Sequence, residues 1–201
     1  IVLTPVATSE SVSRMRASSA NCSAKSASEV PMRGSFSSEN GCFIDQSPRL
    51  GTDDDWKLGI FGDFPPERSA RITRSFRDDF AEGVLRFTAY GLNTAARAGY
   101  EANGRGWQRL RDYLRGLPAE ALVACWEDLA NVDFRDVIPA IDRPTLLVYG
   151  GQSNFYLPET GPWLAARIPG AILSLYEGAN HSPHLLDPAR FTAELTRFVA
   201  S

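Results

Sequence analysis

A histidine in a loop of small residues is the feature of this sequence most able to do chemistry. The loop reads Gly178-Ala179-Asn180-His181-Ser182-Pro183-His184. It follows an apolar run that is typical of a strand. An imidazole, whose ordinary pKa lies near neutrality, can accept a proton from a hydroxyl and return it to a leaving group. We predict that His181 is a general base, against the alternative that it only fills a polar loop, and that His184 packs or caps locally.

Three short apolar runs predict the strands that position this histidine. They cover residues 41–44, 144–149 and 171–176. The second run is almost continuously apolar, which is typical of a buried parallel strand. Because parallel strands present their carboxyl ends at one edge of a sheet, the loops that follow the three runs are expected to meet where ligands bind.

Helices are predicted between the first two strands and after each later strand. Pro66 opens a long helix in which the apolar residues from Ile72 to Phe87 lie on one stripe. Further helices are predicted around Trp107, after Pro118, at 158–168 and from Pro188 onward. The predicted fold class is therefore α/β, with a helical insertion between two strands of a parallel sheet.

Composition and charge exclude several classes of function. The net charge of −3 gives no electrostatic reason to expect nucleic acid or an anionic membrane as a partner. No apolar run approaches the roughly 20 residues that cross a bilayer. With only two histidines and no clustered cysteines, no metal site is expected. The three cysteines form no CxxC pair, which is the pattern of a reducing compartment and predicts a cytoplasmic protein.

The first 40 residues differ in character from the rest of the chain. Residues 9–38 contain eleven serines, and residues 4–43 contain neither leucine nor isoleucine. Without an apolar period, this segment cannot bury enough surface to offset its ordering entropy. Three interpretations stay open: a disordered leader, a transit peptide, or a coding region read out of frame or otherwise replaced. We expect a disordered or non-homologous segment at 1–40 and one domain at 41–201.

Three segments of this domain resemble the α/β-hydrolase superfamily, in the branch with a helical cap. They are Phe43-Ile44-Asp45-Gln46-Ser47-Pro48-Arg49, Arg143-Pro144-Thr145-Leu146-Leu147-Val148-Tyr149-Gly150 and Gly178-Ala179-Asn180-His181-Ser182-Pro183-His184-Leu185. The resemblance implies a partial α/β-hydrolase fold, with a parallel sheet, a cap at about 50–140 and the N-terminal strands absent. It also implies a hydrolase that acts on ester bonds by a Ser-His-Asp mechanism without a cofactor.

The resemblance assigns the role of catalytic base to His181 and requires an acid beside it. In most of the superfamily an aspartate follows the second of these strands, but the corresponding residue here is Ser153. Some branches place the acid one strand earlier, where this chain has Asp45. Asp45 is therefore the predicted catalytic acid. The alternative is that Asp45 only caps the turn that follows it.

The nucleophile that the resemblance implies is missing from the sequence. No Gly-x-Ser-x-Gly turn occurs in the chain, and its expected place near Cys22 lies in the serine-rich segment, whose first glycine is Gly34. Two hypotheses follow: a serine hydrolase of esters whose nucleophile is not located, or a truncated, catalytically inactive remnant or interaction module of the same fold. A third is that a separate chain carries the missing half.

Aromatic residues after the first strand are the predicted contacts for a substrate. Trp56 and Phe61 lie in an apolar stretch punctuated by glycines, which suits an apolar acyl or aromatic pocket. The alternative is that both belong to the core of the cap. The implied partner is a small ester-like molecule. A sheet edge left open by absent strands also favours association into a homo-oligomer.

Overall fold

The computed structural model of the protein describes residues 40–200, which form a parallel sheet covered by helices. The strands are β1 (Gly41–Ile44), β2 (Thr145–Gly150) and β3 (Ile172–Tyr176). The helices are α1 (Pro66–Asp78), α2 (Phe80–Ala89), α3 (Ala95–Glu101), α4 (Arg105–Arg115), α5 (Ala119–Asn131), α6 (Thr160–Ala165), α7 (Pro183–Leu186) and α8 (Pro188–Val199). The serine-rich segment predicted at 1–40 lies outside the described residues, apart from Asn40.

The three predicted strands are present and parallel. Their order in the sheet is β1-β2-β3, and the register pairs Cys42 with Leu146 and Leu147 with Leu173. Every residue of the central strand β2 is buried. This burial on both faces explains why the sequence of β2 is continuously apolar.

Helices cover both faces of the sheet, because alternate side chains of β2 point in opposite directions. On one face Leu147 and Tyr149 pack with Leu164 of α6. On the other face Leu146 and Val148 pack with residues of α8. Within residues 40–200, no helix has the length and apolar character that a bilayer-spanning helix needs.

The helices α1 to α5 all lie in the connection between β1 and β2. An apolar cluster joins this insertion to the loops at the sheet edge, and its members include Leu50, Phe64, Phe87, Trp126 and Tyr156. The insertion falls within the range predicted for a cap, whose boundaries at about 50 and 140 stay a prediction.

The single long helix predicted from Pro66 to Phe87 is wrong, because the chain breaks at Asp79. Asp79 has an extended backbone with φ −151° and ψ 100°. Its carboxylate accepts a hydrogen bond from the N–H of Glu82 at 3.0 Å, which caps the start of α2. The apolar stripe continues across the break, since the rings of Phe76 and Phe80 pack edge-on. Apolar periodicity alone therefore could not reveal two helices.

Gly150, at the end of β2, allows the loop after β3 to pass directly against the strand. A Cβ atom there would lie 2.0 Å from the carbonyl oxygen of Asn180 and 2.6 Å from that of Ala179. Because both oxygens belong to the backbone, Gly150→Ala should lower the free energy of unfolding by about 1–3 kcal/mol. Urea denaturation measures this change.

Gly106→Ala in α4 is the matched control. No heavy atom lies within 4 Å of a Cβ at this position. Replacing a helical glycine should raise the free energy of unfolding by roughly 0.5–1 kcal/mol. A Gly150→Ala protein as stable as the parent would show that the loop after β3 does not approach the end of β2 so closely.

Candidate active site

Asp45 is the first residue after β1, and its side chain is 1% exposed. Its backbone N–H donates to the carbonyl oxygen of Val148 at 2.8 Å, so the pairing with β2 continues to this residue. The φ of Asp45 is 44°, in the left-handed region that Asp and Asn tolerate better than most residues with a Cβ. The carboxylate lies across the end of β2.

Three hydrogen bonds satisfy this carboxylate. The N–H of Gly150 donates to Oδ1 at 3.2 Å, and the hydroxyl of Ser153 donates to Oδ2 at 2.5 Å. Nδ1 of His181 lies 2.8 Å from the same Oδ2. The donors come from the end of β2, the loop after β2 and the loop after β3, so the ends of all three strands meet here. Asp45 therefore does more than cap its own turn.

The imidazole of His181 is held on two sides and is open elsewhere. Its ring packs edge-on against Phe155, with centroids 4.6 Å apart, and lies 5.9 Å from the ring of Tyr156. The side chain is 29% exposed. Within residues 40–200, Nε2 has no hydrogen-bond partner. With Nδ1 facing Asp45, Nε2 is the nitrogen that can accept a proton.

His184 packs against the fold rather than joining this pair. Its ring lies 5.7 Å from that of Phe191, in agreement with the predicted packing role. Burial, and to a smaller extent the charge of His181, lowers the pKa of His184. In the part of the chain that the structure describes, no group of three or more His, Cys, Asp or Glu side chains is arranged to hold a metal ion.

Two buried tyrosines border the carboxylate of Asp45. Burial raises the pKa of both Tyr149 and Tyr156, and the negative charge of Asp45 acts in the same direction. Both phenols therefore stay protonated at neutral pH. The hydroxyl of Tyr149 donates to the carbonyl oxygen of Gln46, which fixes the residue after Asp45. The sequence analysis missed both tyrosines, because it treated Tyr149 only as the end of an apolar run and assigned no role to Tyr156.

Phe61, a predicted substrate contact, belongs to an aromatic wall that leads to the histidine. Its ring lies 5.3 Å from that of Phe87 and 6.0 Å from that of Phe155, which in turn contacts His181. Phe61 is half-buried. Its role in binding a substrate stays a prediction.

Trp56, the other predicted substrate contact, is used in packing. It is 4% exposed, and its ring meets Trp163 edge-on at 4.9 Å. Its indole N–H donates to the carbonyl oxygen of Arg49 at 3.1 Å. The structure does not bring Trp56 to the Asp45–His181 pair, because both its ring and its donor are occupied in the core.

An open groove of about 390 Å³ borders His181 beside β1. Its lining includes Cys42 and Ile44 of β1 and Phe191 and Leu195 of α8. Among residues 40–200, no strand pairs with the outer edge of β1. A separate cavity of about 510 Å³ between α1 and α2 is lined by Phe61 but not by His181.

Solved structures share this arrangement of strands and helices. A hydrolase from Oleispira antarctica matches with a TM-score of 0.64 and 16% identity, over 80% of this chain and 55% of that one. A likeness at this level of identity shows the fold. The chain carries part of an α/β-hydrolase fold, as predicted from the three segments.

Comparison of sequences is more specific. No protein-family model matches the chain. The pimeloyl-[acyl-carrier protein] methyl ester esterase of Neisseria meningitidis is 28% identical over 158 residues, which are 79% of this chain and 58% of the relative. The enzyme of that name from Klebsiella pneumoniae is 31% identical over 155 residues, 76% of this chain and 56% of the relative. The chain thus spans little more than half the length of the curated relatives that it matches.

The reactivity of the Cys42 thiol measures how far β1, which lines the groove beside His181, is shielded from solvent. Burial raises its pKa to about 11. At pH 8 only about one Cys42 in a thousand is then a thiolate, the form that reacts. Cys125 is exposed. In a Cys22→Ser background, Ellman's reagent at pH 8 should modify Cys125 at least about 100-fold faster than Cys42.

The rates are assigned with Cys42→Ser and Cys125→Ser variants, each of which leaves one thiol. The rate for Cys42 should rise as the pH is raised toward 11, because a raised pKa shifts deprotonation to higher pH. Equal rates for the two thiols at pH 8 would contradict the burial of Cys42.

Proposed function

We propose that this chain is part of a serine hydrolase of ester bonds, with Asp45 as the acid and His181 as the base. The observation that carries the proposal is the distance of 2.8 Å between His181 Nδ1 and Oδ2 of the buried Asp45. The relatives are named as methyl ester esterases, which supports an ester as the substrate of this chain. The proposed substrate is a small ester whose acyl part lies against the aromatic wall at Phe155.

In each half of this reaction, acylation and deacylation, His181 first accepts a proton and then donates it. Nε2 takes the proton of a serine hydroxyl as that oxygen attacks the ester carbonyl, and Asp45 stabilises the imidazolium that forms. The proton then passes to the departing alkoxide, and an acyl-serine remains. Water repeats the sequence with His181 as base, releases the carboxylic acid and restores the serine.

The nucleophilic serine is the part of the proposal that this sequence does not locate. No Gly-x-Ser-x-Gly turn is present in the chain. The proposal therefore draws the serine from residues 1–39 or from a polypeptide equivalent to the part of the relatives that this chain does not match. Side chains and water account for every step of this chemistry, so the proposal includes no cofactor.

The proposal also includes a cytoplasmic location. Within the described residues Cys42 and Cys125 are free thiols. Free thiols without a pairing pattern fit a reducing compartment.

The first test is to label the purified full chain with a fluorophosphonate probe and to measure its intact mass. Addition of one probe, lost in a His181→Gln variant, would support a working serine activated by His181. If folded chain takes up no probe and hydrolyses no aryl ester, this chain is not a hydrolase by itself.

The second candidate is a non-catalytic remnant or interaction module of the same fold. The missing nucleophile turn and the unpaired outer edge of β1 within residues 40–200 favour it. This candidate predicts an unlabelled chain that self-associates, which size-exclusion chromatography with light scattering detects. A monomeric chain that takes up the probe would contradict it.

Asp45→Asn tests the acid in a chimera that places the unmatched part of the Neisseria meningitidis relative before residue 40. Asparagine preserves the shape of the side chain and tolerates the left-handed backbone. It lacks the negative charge that stabilises an imidazolium, so kcat for a methyl ester should fall about 10³- to 10⁴-fold. Titration of the released acid in a pH-stat measures kcat.

Asp54→Asn is the control, because Asp54 is fully exposed and, within residues 40–200, its one ion pair is with Lys57 at 3.7 Å. This variant should keep the kcat of the parent chimera. An unchanged kcat in Asp45→Asn would remove Asp45 from the mechanism. A folded parent chimera without activity would contradict the proposed function.

A further inference from the structure

We propose that Ser153 is a positioning residue that holds the carboxylate of Asp45 in the orientation in which Oδ2 faces Nδ1 of His181. The sequence makes Ser153 look like a lost acid, since an aspartate is expected there from the resemblance. The hydrogen bonds of the structure give the hydroxyl a use of its own. The inference rests on the proposed function, in which Nε2 of His181 must carry a free lone pair.

The direction of the Ser153 hydroxyl is fixed by its surroundings. Its Oγ accepts hydrogen bonds from the backbone N–H groups of Phe155 and Tyr156, each at 3.2 Å. A hydroxyl has two acceptor lone pairs and one proton to donate. Because both lone pairs are used, the proton must go to the remaining neighbour, which is Oδ2 of Asp45 at 2.5 Å.

This hydrogen bond orients the carboxylate toward the histidine. Oδ2 of Asp45 accepts from Ser153 and also faces His181, and an oxygen of an ionised carboxylate can only accept. Nδ1 of His181, 2.8 Å from that oxygen, must then carry the hydrogen. The other tautomer would set a nitrogen lone pair against the carboxylate oxygen. The neutral ring therefore holds its proton at Nδ1 and its lone pair at Nε2.

The backbone amides that orient Ser153 are themselves held by the helical insertion. The N–H of Leu92 donates to the carbonyl oxygen of Asn154 at 2.7 Å. The side-chain amide of Asn154 donates to the carbonyl oxygen of Thr88 at 3.0 Å. The N–H of Phe61 donates to the carbonyl oxygen of Phe155 at 2.7 Å. These three hydrogen bonds fix the segment whose amides point at Ser153. The insertion thus reaches His181 through this segment.

The test measures the tautomer directly and needs no turnover. The full chain, labelled with ¹⁵N at its two histidines, gives ring ¹⁵N shifts and the exchange rate of the Nδ1–H proton by NMR. A His181→Gln variant assigns the signals. In Ser153→Ala we expect the Nδ1–H proton to exchange with water about tenfold faster, because Asp45 loses the donor that holds its carboxylate toward Nδ1. The fraction of the Nδ1–H tautomer should fall with it.

Two variants separate positioning from packing. Thr160→Val also removes a buried hydroxyl, one that has no partner within residues 40–200, and it should leave the exchange rate unchanged. Ser153→Thr keeps the hydroxyl and should restore a rate near that of the parent. Asp45→Asn, which replaces one acceptor oxygen with an amide nitrogen and removes the charge, should lose the protected Nδ1–H signal.

Each outcome decides the proposal. The same exchange rate in Ser153→Ala as in the parent would overturn it. It would also be overturned if Ser153→Ala failed to fold while Thr160→Val and Asp45→Asn folded, because Ser153 would then serve the fold alone. A chain that takes up no fluorophosphonate but shows the expected exchange rates would lack a working serine of its own, and the role of Ser153 would stand.

Discussion

Burying a carboxylate is costly unless hydrogen-bond donors replace the water that it loses. The donors to Asp45 come from Gly150, Ser153 and His181, all distant from it in sequence. They can meet only if the three strands lie side by side with their carboxyl ends together. The parallel register, the close approach of the loops at Gly150 and the left-handed turn at Asp45 all serve this meeting. The site and the sheet are therefore one cooperative unit.

The helical insertion supports the same unit from the side opposite the sheet. Its contacts to Asn154 and Phe155 hold the segment whose amides orient Ser153. The ring of Phe155 stacks on Phe87 of α2 and meets His181 edge-on. Aromatic packing and backbone hydrogen bonds thus connect the insertion to both ends of the Asp45–His181 pair. A substitution in α2 that moves Phe87 would therefore alter the packing of His181 through Phe155, without contacting the histidine itself.

Apolar runs in the sequence predicted the three strands, because a buried parallel strand is a local signal. The resemblance to the α/β-hydrolase superfamily assigned Asp45 and His181, whose side chains the structure places 2.8 Å apart, and their catalytic roles stay a prediction. Sequence patterns failed where the decisive contact is made by residues far apart in the chain. The break at Asp79 interrupts hydrogen bonds but not the apolar stripe. Trp56 has the composition of a pocket residue, yet Trp163 and Arg49 occupy it. The proposed positioning role of Ser153 depends on the backbone amides of Phe155 and Tyr156, which only the structure places beside it.

The 136 positions that separate Asp45 from His181 have a consequence for the order of folding. Loop closure costs more entropy as the loop lengthens, and pairings between distant residues form slowly. β2, α6 and β3 are neighbours in sequence and can assemble first, with the contact between Phe155 and His181 inside that local unit. We therefore expect β1 to join the sheet only after the long insertion has folded. In this order of assembly the histidine is in place before its carboxylate arrives, and the pair forms at the end of folding.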